Sequence, residues 1–147
     1  MEAILEVKNQ KNRVEITLEQ VEQITKASTH YTDITDFDTA CAYNGIDPVE
    51  FEKKYSFLPT HIYAELKLEQ VVKAINGGEV QDYSDVNVWK HYPWFNSVGS
   101  ASGFSFYDVA DAYSFSFVGS RLLYKDEGRA EHGGRTFIKL YNEYING

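Results

Sequence analysis

The sequence predicts an α+β fold: an antiparallel sheet from the C-terminal half packed against helices, preceded by a mainly helical N-terminal region. Three observations carry that expectation. Ala64, Leu68, Val71, Val72 and Ile75 fall on one stripe at helical spacing. Residues 104–107 and 113–117 instead alternate aromatic side chains with serine, which puts rings on one face of a strand and hydroxyls on the other. After Asp126 the helical period returns, through Ala130, Gly133 or Gly134, Phe137, Leu140 or Tyr141, and Tyr144.

In chain order, the β-branched runs at residues 3–7 and 14–16 flank a polar, Asn-containing connector, which predicts a small hairpin or an extended arm. Thr17 with Gln20 three residues on has the form of a capping box, and Leu18, Val21 and Ile24 continue it into an amphipathic helix over 18–27. Two short helices in tandem follow. Asp36 or Thr35 caps the first, Gly45 stops it, and Asp47-Pro48 opens the second with an N-cap and a proline at the first helical position. Helix, glycine, apolar residue, capped helix is also the layout of a helix-turn-helix. Glu50 and Glu52 beside Lys53 and Lys54 favour a plain helical corner that packs Phe37, Ile46 and Phe51.

Pro59 restarts the chain into the helix over 60–76, and Asn76-Gly77-Gly78 ends it. Residues 79–87 read as an acidic connector and residues 88–92 as extended, with Pro93 keeping Tyr92 out of helical geometry. A hairpin is predicted next, from 104–107 and 113–118, turning through 108–112 with Asp108 and Asp111 as turn residues. Two glycines in the last helix would cost about 1 kcal/mol each relative to alanine. They fit a helix that lies very close to the sheet or breaks in two there. The organisation read from these elements is a single domain over 1–147, with 1–78 mainly helical and 79–147 a hairpin sheet plus C-terminal helix.

The formal net charge of −8 and pI of about 4.9 argue against a protein whose main task is coating duplex DNA or an anionic membrane. A single cysteine, Cys41, cannot form an internal disulfide. No apolar run reaches membrane-spanning length, and residues 1–10 lack a signal-peptide layout, so a soluble cytoplasmic protein is expected, with no membrane partner.

One resemblance emerges from the motifs. Residues 74–78 (Ala-Ile-Asn-Gly-Gly) with Asp82, then Tyr92-Pro-Trp-Phe95, Gly103-Phe104 and Val118-Gly-Ser-Arg-Leu122 with Tyr124-Lys125 form the core of the pattern. Ala130, Gly134, Phe137, Leu140 and Tyr141 complete it, and the segment from Asp38 to Ile46 fits too. Over residues 34–144 the chain resembles a group of small, uncharacterised proteins encoded by phages and prophages of gut Bacteroidetes. That resemblance implies a mobile-element origin and an accessory or virion-related role, in the host cytoplasm or the virion. It carries over no catalytic residue. Gly128 and Gly133 depart from the pattern, which has better helix formers there.

Residues 119–147 carry five Lys/Arg against four Asp/Glu, in a chain that is otherwise acidic. Ser120, Arg121, Lys125 and Arg129, at a strand end and the first turns of a helix, are the candidate anion or nucleotide site. The competing reading pairs these cations with Glu127 and Glu131. Trp89, Tyr92 and Trp94 are the candidate aromatic contact surface, with Tyr107 as a further ring on which single-stranded bases could stack. The histidines His30, His61, His91 and His132 form no metal-binding spacing, and Asp82, Asp85 and His91 read as a solvated loop. Cys41 between alanines reads as a small core residue. No catalytic constellation, metal site or cofactor is expected. The leading expectation is a non-enzymatic protein that binds another protein, or itself. The alternative is a nucleic-acid or nucleotide-binding accessory protein using the C-terminal basic and aromatic patch.

Overall fold

The computed structural model describes residues 3–5, 14–82, 84–97, 103–112 and 120–147. They form two compact units, Met1–His30 and Tyr31–Gly147. In the first unit β1 (Ala3–Leu5) pairs antiparallel with β2 (Val14–Ile16), so the N-terminal hairpin forms. α1 (Leu18–Ser28) starts at the expected capping box. Thr17 Oγ1 accepts from the Gln20 amide at 3.3 Å, and the Thr17 amide donates to Gln20 Oε1 at 2.9 Å. No residue of α1 is buried, and Leu18 and Ile24 are exposed.

The second unit is α+β. α2 (Phe37–Asn44) is capped by Asp36 and closed by Gly45, whose φ of 70° is the left-handed conformation that glycine adopts without strain. α3 (Pro48–Tyr55) and α4 (Thr60–Ile75) follow. The stripe on α4 is the centre of the core: Ala64, Leu68, Val71, Val72 and Ile75 are all at most 1% exposed. Around it pack Ile34, Ala40, Leu122, Tyr124, Ala130, Phe137 and Tyr141.

The sheet is built differently from the expected hairpin. β3 (Lys90–Asn96) pairs antiparallel with β4 (Ser105–Ala112), so residues 108–112 are strand rather than turn. Val109 explains this, because it sits opposite Pro93 and packs on the core, continuing the apolar face that Phe106 begins. Asp108 and Asp111 project from exposed strand positions, where water solvates them as well as a turn would. The register slips between Trp94 and Phe95, leaving Tyr107 as the extra residue of a bulge. The second aromatic–serine run, residues 113–117, lies outside the described residues. On its other edge β3 is bridged by Tyr124, with His91 N to Tyr124 O at 2.9 Å and Tyr124 N to His91 O at 2.8 Å.

α5 (Glu127–Thr136) begins at Asp126, as expected, and α6 (Ile138–Asn146) follows after Phe137. Of the two readings of the glycine pair, close approach to the sheet holds, and the break falls later than the glycines. A Cβ at Gly134 would lie 2.5 Å from Pro93 Cβ and 2.7 Å from the Phe106 ring, and one at Gly133 would lie 2.1 Å from the Tyr124 hydroxyl. The helix also breaks, three residues later, at buried Phe137.

Two asparagine side chains fasten these layers. Asn76, fully buried at the end of α4, donates Nδ2 to Leu123 O at 2.8 Å and accepts from Lys125 N at 3.1 Å. Asn142 of α6 accepts from Phe104 N at 2.6 Å and donates to Phe104 O at 2.8 Å. Each carboxamide thus satisfies backbone groups outside the named strands, and around fully buried Asn76 leaving them unpaired would cost about 1–3 kcal/mol apiece.

Candidate functional site

A concave surface among the described residues lies along α3. Asp47 fixes the start of this helix, its Oδ1 accepting from Val49 N at 2.8 Å and Glu50 N at 3.4 Å, with Pro48 pre-set in helical φ. At the other end Ser56 stays helical, and Leu58 N donates to Tyr55 O at 3.0 Å, which holds the turn into Pro59. That turn leaves Phe57 79% exposed, and Val49 on the helix is 68% exposed.

Along α3 is an open cleft of about 600 Å³. Ile46, Phe51 and Tyr55 give it an apolar lining, Gln70 of α4 closes one side, and Asp47, Glu50, Lys53 and Lys54 supply charge. Phe51 is anchored from below, meeting Phe37 at 5.1 Å edge-on and Tyr55 at 4.8 Å between ring centroids. Lys53 reaches Glu50 at 3.7 Å, and Lys54 lies 5.0 Å from the Tyr55 ring centre. Both members of the Lys53–Glu50 pair are exposed, so it contributes little to stability and leaves the charges available. Behind Gln70, Asn44 Nδ2 donates to Gln70 O at 2.9 Å, while Asn44 Oδ1 is buried without a hydrogen-bond partner. Cys41 is buried on α2, and burial with Asp38 and Asp47 nearby pushes its thiol up to about 11. It is therefore protonated at neutral pH and a poor nucleophile.

The basic cluster is dispersed among separate carboxylates. Arg121 Nη1 lies 3.4 Å from Glu69, and Lys125 Nζ lies 3.8 Å from Glu79. Arg129 pairs with Asp126, donates Nε to Ile75 O at 2.9 Å and stacks 4.7 Å over the Tyr31 ring. Neither Glu127 nor Glu131 is the partner in these pairs; Glu131 instead holds Arg135 at 2.8 Å. Ser120 opens a 3-10 turn that ends at Leu122. Of the three aromatic candidates, Trp89 and Trp94 are exposed, whereas Tyr92 is buried and its ring is not available at the surface. Tyr107, at the bulge, is 65% exposed.

Asp82 belongs to a local turn. Its Oδ1 accepts from Ser84 N at 2.8 Å and Ser84 Oγ at 2.7 Å, which lowers its carboxyl below the ordinary range. Asp85 likewise accepts from Asn87 N at 3.0 Å. Among the described residues no group of three His, Cys, Asp or Glu side chains is placed to hold a metal ion.

Sequence reasoning passed over three of these residues. Phe57 sits in a short segment between a helix end and a proline, and that position is the one signal of its exposure. Asn76 reads as a helix stop and Asn142 carries no signal of its own, because nothing local reveals a backbone partner 47 or 38 residues away. No family model, curated protein or solved structure matches the chain.

Proposed function

We propose that the chain is a phage- or prophage-type accessory protein, non-enzymatic, that acts by binding another protein through the α3 surface. The observation that supports this is the ring-lined cleft at Ile46, Phe51 and Tyr55, along a segment whose Val49 and Phe57 are strongly exposed. An apolar recess with charges at its edge, on a segment that also exposes an aromatic ring, has the composition of an interface centre and its polar rim. The exposed Leu18 and Ile24 of α1 add a second apolar surface, on a unit too short to bury a core alone. The C-terminal cations support a nucleic-acid reading less well, since Arg121, Lys125 and Arg129 each face a carboxylate.

The test is a photo-activatable cross-linking residue at position 57 in host cells, with one at exposed Lys139 of α6 as the control. Protein adducts at 57 and none at 139 are expected. No adduct at 57, or adducts to nucleic acid alone, overturns the proposal.

A further inference from the structure

Two arginines of the chain show how it seats a guanidinium: each lies over a ring and pairs with a carboxylate. Arg129 stands 4.7 Å from the Tyr31 ring centre and pairs with Asp126. Arg135 stands 4.3 Å from the Phe106 ring centre and pairs with Glu131 at 2.8 Å. The outer face of the β3–β4 sheet carries the same set of rings and carboxylate without the arginine.

The bulge in β4 builds that face. Phe106 turns inward against Gly134 of α5, and Val109 packs on the core. Strict alternation along a strand would put residues three apart on opposite faces. The bulge removes the conflict and lets Tyr107 and Asp108 both point outward, where both are exposed. Trp94 pairs with Asp108 in the register and is 48% exposed. Its neighbours Pro93 and Phe95 turn the other way, toward Gly134 and Tyr141. Directly opposed residues have Cβ atoms about 4.5–5.5 Å apart, so the indole and the carboxylate lie within reach of one guanidinium. Asp108 Oδ1 accepts from Val109 N at 2.8 Å, which steadies the carboxylate. Among the described residues no cation stands over Trp94 or Tyr107, and none pairs with Asp108.

We infer that this face binds an arginine side chain presented by a basic peptide segment of a partner, a contact independent of the α3 surface. Indole attracts cations more strongly than the other aromatic rings do. A guanidinium is planar, so it stacks on the ring while its N–H fork meets the carboxylate; a lysine ammonium is a compact, strongly hydrated charge without that fork. Arg121, Arg129 and Arg135 of this chain each have a carboxylate elsewhere, so none of them supplies the guanidinium. Nucleic acid fits the face less well. Bases could stack on the rings, but Asp108 repels phosphate, and Lys90 of β3 is 1% exposed with its ammonium donated to the Asp85 carbonyl.

The test is titration of the full-length chain at low salt with a capped Gly-Arg-Gly-Arg-Gly peptide. Binding is read from the Trp94 indole N–H resonance, assigned by its loss in Trp94→Phe, and from calorimetry. A saturable shift is expected. Trp94→Ala and Asp108→Asn should each weaken binding about tenfold, and the Gly-Lys-Gly-Lys-Gly peptide should bind about fivefold more weakly. Asp111→Asn, on the other face of the same strand, should bind as the wild type does. Circular dichroism of each variant reports the fold, which these exposed side chains do not hold together. No shift at millimolar arginine peptide overturns the site. Equal binding of the two peptides, or equal weakening by Asp108→Asn and Asp111→Asn, reduces the effect to net charge and overturns it too. A single-stranded oligonucleotide that moves the Trp94 resonance where the peptide does not overturns it in favour of base stacking.

Discussion

Tyr124 and Tyr141 meet hydroxyl to hydroxyl at 3.0 Å in the interior, the one at the edge of the sheet and the other on α6. Gly133 makes the space, because any side chain at that position would occupy the Tyr124 hydroxyl. Truncating one partner leaves the other phenol buried and unsatisfied. Tyr141→Phe is expected to destabilise the protein by about 1–3 kcal/mol. The double variant Tyr124→Phe/Tyr141→Phe should recover much of that loss, which urea unfolding of all four forms in a mutant cycle would measure.

The same pair sets an alkaline limit on stability. Burial raises both phenols above the ordinary tyrosine value of 10.0, Tyr141 further by its neighbour Tyr124. In the unfolded chain they ionise near 10, while in the fold they stay protonated. Their contribution is therefore complete below pH 10 and falls as pH rises beyond it. Thermal unfolding between pH 8 and 11.5 should show a decline above 10 that is shallower in the double phenylalanine variant. Equal slopes would contradict the linkage.

Asn76 is the second test of a buried polar joint. Asn76→Ala removes both bonds to the backbone of Leu123 and Lys125 and should cost about 2–4 kcal/mol. Asn76→Asp should cost as much or more at neutral pH, since a carboxylate replaces the donor facing the Leu123 carbonyl. Chemical denaturation at pH 7 compares them; an aspartate as stable as wild type would refute the pairing.

Gly134→Ala separates packing from helix propensity. Propensity alone favours alanine by about 1 kcal/mol. Contact with Pro93 and Phe106 opposes it and should prevail, because one side of the clash is a ring fixed in the sheet. The expected result is a lower melting temperature, accompanied by loosened near-ultraviolet signal.

The first unit offers a further check. A hairpin of three-residue strands and an 11-residue helix with no buried side chain gains little from local structure. Deleting residues 1–30 should shift the melting temperature of Tyr31–Gly147 by no more than a few degrees. A peptide of residues 1–30 should lack helix by circular dichroism.

Helices were legible in the sequence because their signals are local: Thr17 with Gln20, Asp36 or Thr35 with Gly45, Asp47 with Pro48, and the periodic stripe on α4. The C-terminal sheet was legible in kind, antiparallel and ring-bearing, but not in pairing. Asp108 and Asp111 have turn chemistry on their own, and only the packing of Val109 outweighs it. The bond between Tyr124 and Tyr141 and the reach of Asn76 and Asn142 across the fold depend on tertiary placement, which no short window contains. The α3 face was hidden for the opposite reason. Its residues lie close together in the chain, but an exposed phenylalanine in a turn looks like core until the solvent side is known.

Asn76 precedes Gly77, and asparagine followed by glycine is the dipeptide most prone to spontaneous deamidation, by attack of the glycine nitrogen on the side-chain carbonyl carbon. In the fold that nitrogen's hydrogen is bonded to Ala74 O at 3.0 Å and the carboxamide is clamped at both ends. The folded molecule thus shields this Asn-Gly link, one of three in the chain with Asn44-Gly45 and Asn146-Gly147, while each unfolding event exposes it. Ageing at position 76 should follow the time the chains have spent open, and chains altered there would carry an aspartate or isoaspartate where the fold requires an amide.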